Sequence, residues 1–379
     1  MGEGRSRRLL AGQARALTPT AFMQRLLHFF WFNYHRREGD EGIYQVGTYE
    51  IQKWAERHLA RHYAVHSTSC ITQGRVTLSG SDVLIGHLSW DPGDDGTGKA
   101  GRSLRNWVYD NRLDPDAGSH PNTYILTPWV PVFPPEWTES MPHHESQLEQ
   151  ARVIFAICGP IWHRETLALK DDTVQSRVKS KLVRLDMCVN LDALKIRKTR
   201  FNPPGKRKLI HVSNLDSYKG FDLLLDSTRG VAVPSIGSKR LRGLERGVRE
   251  IEEFGAKYTI NSLGSINNRD DAQIAALVAE HDFYIHTSTM DAQATTILEF
   301  AARGLVPIVT PESGFECEDA ITLTRYPAKN RDIIANALVM PEEELVHRAE
   351  RIRAKLARDH SWDRFFDTIA RTINETCVS

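Results

Sequence analysis

Lys219, Asp291 and Glu299 are residues whose types and settings suit phosphate and sugar chemistry. Lys219 lies in "HVSNLDSYKGFDLLL" (211–225), where an apolar run ends, a polar loop follows and Gly220 opens a predicted helix. Helix N-termini present unpaired N–H groups and the positive end of the dipole, so a lysine there could hold a diphosphate. The plainer reading is an exposed loop lysine. Asp291 lies in "HTSTMDAQATTILEFAARGLVPIVT" (286–310), before a predicted helix whose first turn, Ala292 to Thr295, is small and polar. Glu299 follows eight positions later. At about 100° per residue, two helical turns bring both acids to similar azimuths. The plainer readings are an N-cap for Asp291 and a solvated helix face for Glu299. Glu299 has apolar or small neighbours, however, and a carboxylate in such company needs a partner. Ribose hydroxyls would serve.

A second stretch imitates a phosphate loop. "DPGDDGTGKAGRS" (91–103) has Gly93, four residues, Gly98 and Lys99. A P-loop places Ser or Thr after that lysine to hold magnesium; here Ala100 follows. Pro92 separates the loop from the strand before it, Gly101 delays any helix, and Asp94 and Asp95 sit where phosphate charge would go. The ATP reading fails. The loop is expected to overhang the acceptor side of a cleft and to help close over or select the acceptor.

The elements that must position these residues alternate. Strands are predicted in "LLHFFWFNY" (26–34), "AVHSTS", "SDVLIGHLSW", "NTYILTPWV", "ARVIFAICG" and "KLVRLDMCV", with a helix over 48–63. After a basic linker with Pro203, Pro204 and Gly205 (197–208), alternation restarts: "LIHVSN", a helix from Gly220, "VAVPSIG", a polar helix "LRGLERGVREIEEFG", "AKYTINSLG", "DDAQIAALVAEH", "FYIHTS", "ATTILEFAARG" and "VPIVT". The tail reads as two helices joined near His360–Trp362. Apolar strands alternating with amphipathic helices imply α/β architecture with two parallel, doubly wound sheets. Ligands bind such sheets beyond the carboxyl ends of the strands.

Composition narrows the function classes. The 379 residues carry a net charge of +1, which excludes a nucleic-acid binder by overall charge. Charge is local: residues 164–208 hold 13 Lys+Arg against 5 Asp+Glu, and the first 25 residues hold 5 Arg against 1 Glu. Such patches suit phosphates, anionic sugars or an anionic membrane face, or are simply solvated. The 5 cysteines are scattered, with no C-x-x-C, which points to a reducing compartment. No run approaches the ~18 apolar residues of a membrane span. No G-x-G-x-x-G follows a strand, which disfavours a dinucleotide-dependent dehydrogenase. No metal-ligand constellation is apparent, and His143–His144 read as surface residues of a Pro-rich polar loop.

"SNLDSYKGFDLLL" and "STMDAQATTILEFAARGLVPIVT" resemble the donor-binding half of the large retaining family of GT-B nucleotide-sugar glycosyltransferases (glycosyl transferases group 1). That family carries Lys-Gly after the first strand of its second domain, then two acids eight apart, a small glycine-ended helix and a P-V/I-V strand. The likeness runs from about 201 to 320. It extends more weakly to "GIYQVGTYEIQKWAERHLARHYAVHST", to "KLVRLDMCVNLDALK" and to the closing "SWDRFFDTIA", which resembles the family's last helix, crossing back to the first domain. The resemblance implies two Rossmann-like domains facing across a cleft. After a basic arm (1–24) read from its charge, it gives an acceptor-binding domain (25–200), a nucleotide-sugar-binding domain (201–359) and a returning helix (360–379).

The resemblance also implies roles. Lys219, beside Gly220, would contact the donor diphosphate; Glu299 would bind the ribose; Asp291, where the family usually has Glu, would hydrogen-bond the transferred sugar. Gln293, Ala294, Thr295 and Thr296 would offer amides to the phosphates, and Ser265 and Ile266 would lie near the base. Two departures stand out: Asn214 replaces the family's frequent Arg, and Asp291 is one methylene shorter than Glu. His87 is a candidate acceptor-side catalytic residue, with a structural hydrogen bond as its plainer role; the family's usual cleft histidine follows a later strand, here "YILTPW", which has none. The implied function is transfer of a sugar from a nucleotide sugar, as substrate rather than cofactor, to a glycan or lipid-linked acceptor. Retention, no metal, a cytoplasmic setting with peripheral contact on the inner membrane face, and cell-surface polysaccharide or glycolipid synthesis complete the expectation. A sugar-nucleotide epimerase or phosphorylase on the same scaffold, or a non-catalytic binding protein, stay open.

Overall fold

The structure is a computed structural model, and it describes residues 25–31, 48–69, 79–86, 121–132, 141–213, 217–238, 258–267 and 270–377. The basic arm, His87, the 91–103 loop, Asn214 and the predicted polar helix near 241–255 lie outside the described residues.

The first sheet contains β1 (Leu26–Trp31), β2 (Ala64–Ser69), β3 (Val83–Gly86), β4 (Thr123–Pro128), β5 (Val153–Ile157) and β6 (Leu182–Leu185). Its order is β2-β1-β3-β4-β5-β6, and every pairing is parallel. Around it lie α1 (Thr48–Leu59), α2 (Met141–Gln150), α3 (Pro160–Ala168) and α4 (Val174–Val178). His143 and His144 therefore belong to a helix and not to the loop expected from the prolines near them. Successive residues of a strand face opposite ways. Tyr124, Leu126 and Phe155 accordingly join one buried cluster, whereas Leu84, Ile125 and Ile154 join a second with Trp129 and Trp162.

The second sheet contains β7 (Leu209–Val212), β8 (Ser235–Ser238), β9 (Asn261–Ser265), β10 (Phe283–His286), β11 (Val306–Val309) and β12 (Ile321–Thr322). Its order is β12-β11-β10-β7-β8-β9, again all parallel. Among the described residues the helices are α5 (Phe221–Thr228), α6 (Asp271–Glu280), α7 (Thr295–Ala302), α8 (Pro327–Val339), α9 (Glu342–Asp359) and α10 (Trp362–Thr376). β7, β10 and β11 are buried at every position, as expected for parallel strands covered on both faces.

α10 returns to the first sheet, as the sequence led us to expect. Ser361 caps it, its hydroxyl accepting from the Arg364 amide at 3.3 Å. Trp362, Phe366, Ile369 and Ile373, at helical spacing, are buried. Trp362 stacks on Trp54 of α1 at 5.8 Å, and Tyr63 Oη donates to Asn374 Oδ1 at 2.7 Å. One apolar cluster thus runs from the first sheet through α10 into the second. Among the described residues no helix is long and apolar enough to cross a membrane.

Candidate active site

From β7 the chain moves outward to β8 and β9; from β10 it moves the other way, to β11 and β12. The loops leaving the carboxyl ends of β7 and β10 therefore diverge, and the crevice between them is where ligands of doubly wound sheets bind. Lys219 follows β7 and Asp291 follows β10. Gly220 has φ +67°, and a Cβ there would sit 2.0 Å from Thr287 O, so only glycine lets the two loops touch. Hydroxyls join them: Thr287 Oγ1 donates to Gly220 O at 2.8 Å, and Ser288 Oγ to Tyr218 O at 2.7 Å. The Thr289 amide donates to Tyr218 O at 2.8 Å.

This arrangement brings the Lys219 ammonium onto Asp291 Oδ2 in a close ion pair. The two side chains are 13% and 12% exposed, so water screens the pair weakly. Lys219 Nζ also lies 4.6 Å from the centroid of the Tyr218 ring, a cation–π contact. Burial alone would raise the Asp291 carboxyl; Lys219 and, less strongly, His286 outweigh it and hold it at about 2. Burial works against charge on Lys219, but Asp291 and Tyr218 keep it above the ordinary lysine range. Both groups are charged at neutral pH.

Beneath the pair lies a layer of buried rings. His286 Nε2 is 3.6 Å from Asp291 Oδ2, beyond hydrogen-bond length but close enough to act electrostatically. The His286 ring stacks on His211 at 5.3 Å, and Tyr284 stacks on Phe300 at 4.8 Å. His211 Nδ1 lies 2.9 Å from Ile285 O, which can only accept, so Nδ1 carries the proton and Nε2 accepts from Ser213 Oγ at 2.6 Å. Burial, with His286 nearby, pushes His211 down to about 3, and burial lowers His286 despite Asp291. Both histidines are neutral at pH 7. Tyr284 donates to Val212 O at 2.9 Å and lies 2.5 Å from Thr296 Oγ1, tying the layer to the start of α7.

The other candidates fall out unevenly. α7 begins at Thr295 with Ala294 as N-cap, so Asp291 lies in the loop before the helix. It is not the cap, and, lying outside the helix, it shares no helical azimuth with Glu299. Thr295 and Thr296 are the first helical residues, whose amides have no intrahelical acceptor. The Ala294 amide is already engaged, donating to Ser313 O at 3.0 Å. Glu299 is 3% exposed on α7, not on a solvated face. Ser265 ends β9 at the sheet edge and Ile266 follows it, two strands from β7, and Ile266 is buried with its amide on Ser238 O at 2.8 Å. His87 and Asn214 lie outside the described residues. Among the described residues no group of three or more His, Cys, Asp or Glu side chains is arranged to hold a metal ion.

Gln293 does something the sequence did not announce. Its Oε1 accepts from the Met187 amide, and its Nε2 donates to Asp186 Oδ1 at 3.1 Å and Gly314 O at 3.3 Å. It is a tie to the end of the first sheet. Trp162 Nε1 donates to Asp291 O at 2.6 Å, and the Gly159 amide to Ala292 O at 2.8 Å. Met290 and Ala292 pack against the first half's second cluster. No chain-local pattern signals the contacts to Met187, Asp186, Trp162 and Gly159, because they join residues more than 100 positions apart.

Solved structures share this fold. An OtsA apo structure matches with TM-score 0.60 at 10% identity, covering 92% of this chain and 99% of that one. An α,α-trehalose 6-phosphate synthase from Burkholderia multivorans matches with TM-score 0.57 at 13% identity, covering 93% and 97%. A UDP-forming α,α-trehalose-phosphate synthase from Burkholderia xenovorans, in complex with glucose-6-phosphate, matches with TM-score 0.54 at 13% identity, covering 86% and 76%. The chain has the GT-B fold. Both halves take part, since the first two likenesses span more than nine-tenths of each chain. No family model matches the sequence, and no curated protein does. The GT-B fold is thus visible in the backbone at identities where it is faint in the residues.

Proposed function

We propose that this GT-B chain is a glycosyltransferase that moves a sugar from a nucleotide sugar to an acceptor bound against the first half. The buried Lys219–Asp291 pair at the second sheet's switch point, beside the start of α7, carries this reading. Glycosyl transfer needs negative charge on the leaving diphosphate stabilised as it develops. Lys219 and the open amides of Thr295 and Thr296 supply that field. An arriving diphosphate competes with Asp291 for the ammonium and frees the carboxylate to accept hydrogen bonds from sugar hydroxyls. Glu299 then holds the ribose. Retention, independence of metal, a glycan or lipid-linked acceptor, contact with an anionic membrane face and a role in cell-surface polysaccharide or glycolipid synthesis extend the same reading. They rest on the resemblance noted in the sequence and on its basic segments.

The structural neighbours' descriptions make UDP the first nucleotide to try and a sugar phosphate an acceptor worth including. A thermal-shift series with UDP, GDP and ADP tests the donor site, since a ligand at 100 times its Kd adds about 2.7 kcal/mol of stability. Labelled sugar nucleotides then test transfer: acceptor-dependent release of nucleotide is expected. A binding-only reading has one observation behind it, the neutralisation of Lys219 by Asp291. Tight nucleotide binding with no turnover on any acceptor would favour it.

A further inference from the structure

We infer that Trp162, which belongs to the first half, is a positioning residue of the donor site: its indole N–H fixes the backbone of Asp291 and through it the Lys219–Asp291 pair. Asp291 is held at both backbone groups, each from a different half. Its amide donates to Glu312 O at 2.9 Å, within the second half. Its carbonyl accepts from Trp162 Nε1 at 2.6 Å. Trp162 is 5% exposed and Asp291 9%, so neither group has water as a substitute partner.

The backbone that carries the indole is itself tied. Thr166 Oγ1 donates to Trp162 O at 2.7 Å and accepts from Trp129 Nε1 at 3.1 Å, and Trp129 is fully buried. The next carbonyl is tied in the same way: Ala292 O accepts from the Gly159 amide at 2.8 Å. A Cβ at Gly159 would lie 2.0 Å from Gly314 O, so the two backbones meet with no room to spare. Two consecutive carbonyls of the Asp291 loop thus take donors from the first half. If the halves separate, both are released together, one side chain away from the lysine that meets the diphosphate. The position of the acidic partner of Lys219 therefore depends on the first half being in place.

The inference rests on the donor-site reading, and the experiment separates the two. In the full chain, Trp162→Phe removes the N–H and keeps an aromatic ring. Nucleotide affinity is measured by calorimetry with UDP, GDP and ADP, and kcat and KM by consumption of the matching sugar nucleotide. We expect kcat to fall at least tenfold while nucleotide Kd changes less than threefold, because Lys219 and Glu299 are untouched. An unchanged kcat overturns the inference, as does a parallel loss of affinity and melting temperature, which would mark simple packing. Should Trp162→Phe fail to fold, Gln293→Leu, which cuts the separate tie to Met187 and Asp186, must show the same split between kcat and Kd; without it the inference falls. A wild-type chain that binds no nucleotide defeats the donor-site reading and this inference together.

Discussion

The two sheets are wound alike but end differently. Each reverses strand order once, between β1 and β3 in the first and between β7 and β10 in the second. In the second, the residues at the carboxyl ends of the strands are polar and buried: His211, Ser213, His286, Thr287, Ser288 and Thr310. Their side chains hold loop backbone or one another, as when Thr310 Oγ1 donates to Ser288 O at 2.6 Å. In the first sheet, β4 and β5 end on Trp129, Val130 and Cys158, which pack with Trp162. The second half thus ends in a polar floor with a charged pair on it, and in the first half the ends of β4 and β5 form an apolar wall that presses on the loop carrying the pair. Donor chemistry and its mechanical support are therefore divided between the halves.

Removing the charge on the floor should have the largest effect. Lys219→Ala leaves Asp291 buried without its cation, which costs about 3–5 kcal/mol for a buried pair; turnover should fall by about 100-fold or more, read from sugar-nucleotide consumption and a denaturant melt. Glu299→Ala should come next, weakening nucleotide binding by roughly 10- to 100-fold on the scale of a hydrogen bond to a charged group. Calorimetry checks it, and an unchanged affinity would remove Glu299 from the site.

The ring layer makes a pH prediction. The pKa of His211 is depressed in the fold, so its contribution to stability is complete above the unfolded histidine pKa of about 6.5 and is lost as pH falls toward its folded value of about 3. Stability should drop by up to about 1.4 kcal/mol per pH unit for this group, with His286 acting in the same direction. His211→Gln should flatten the profile measured by urea melts between pH 6.5 and 4. The smallest effect should come from the returning helix: Tyr63→Phe removes the bond to Asn374 on α10 and costs about 1 kcal/mol. Nucleotide affinity should not move, which would separate the returning helix from the site.

Much of the second half was legible in the sequence because its signals are local. "LIHV", "FYIH" and "VPIV" are short apolar runs bounded by polar loops, and they became β7, β10 and β11. Lys219 and Asp291 could be singled out because each follows such a run. Their direct pairing could not, since it depends on β7 and β10 lying side by side, a fact of sheet order. The buried stack of His211, Tyr284 and His286 was missed for the same reason, although a histidine closing an apolar strand just before Asp291 was a usable hint. α8 and α3 escaped the reading, and the strand expected over "VAVPSIG" forms only at Ser235–Ser238; Pro234 stands just before it, where a ladder donor would be lost. The ties through Trp162 and Gln293 leave no periodic trace, being single side chains reaching across the molecule.

The most direct measurement is calorimetric titration of UDP, GDP and ADP into the wild-type chain and into Lys219→Ala. One nucleotide diphosphate should bind at a single site in the wild type and lose at least tenfold in affinity in the variant. No binding by any of the three, or equal affinity in both chains, would contradict a donor site built on Lys219 and Asp291.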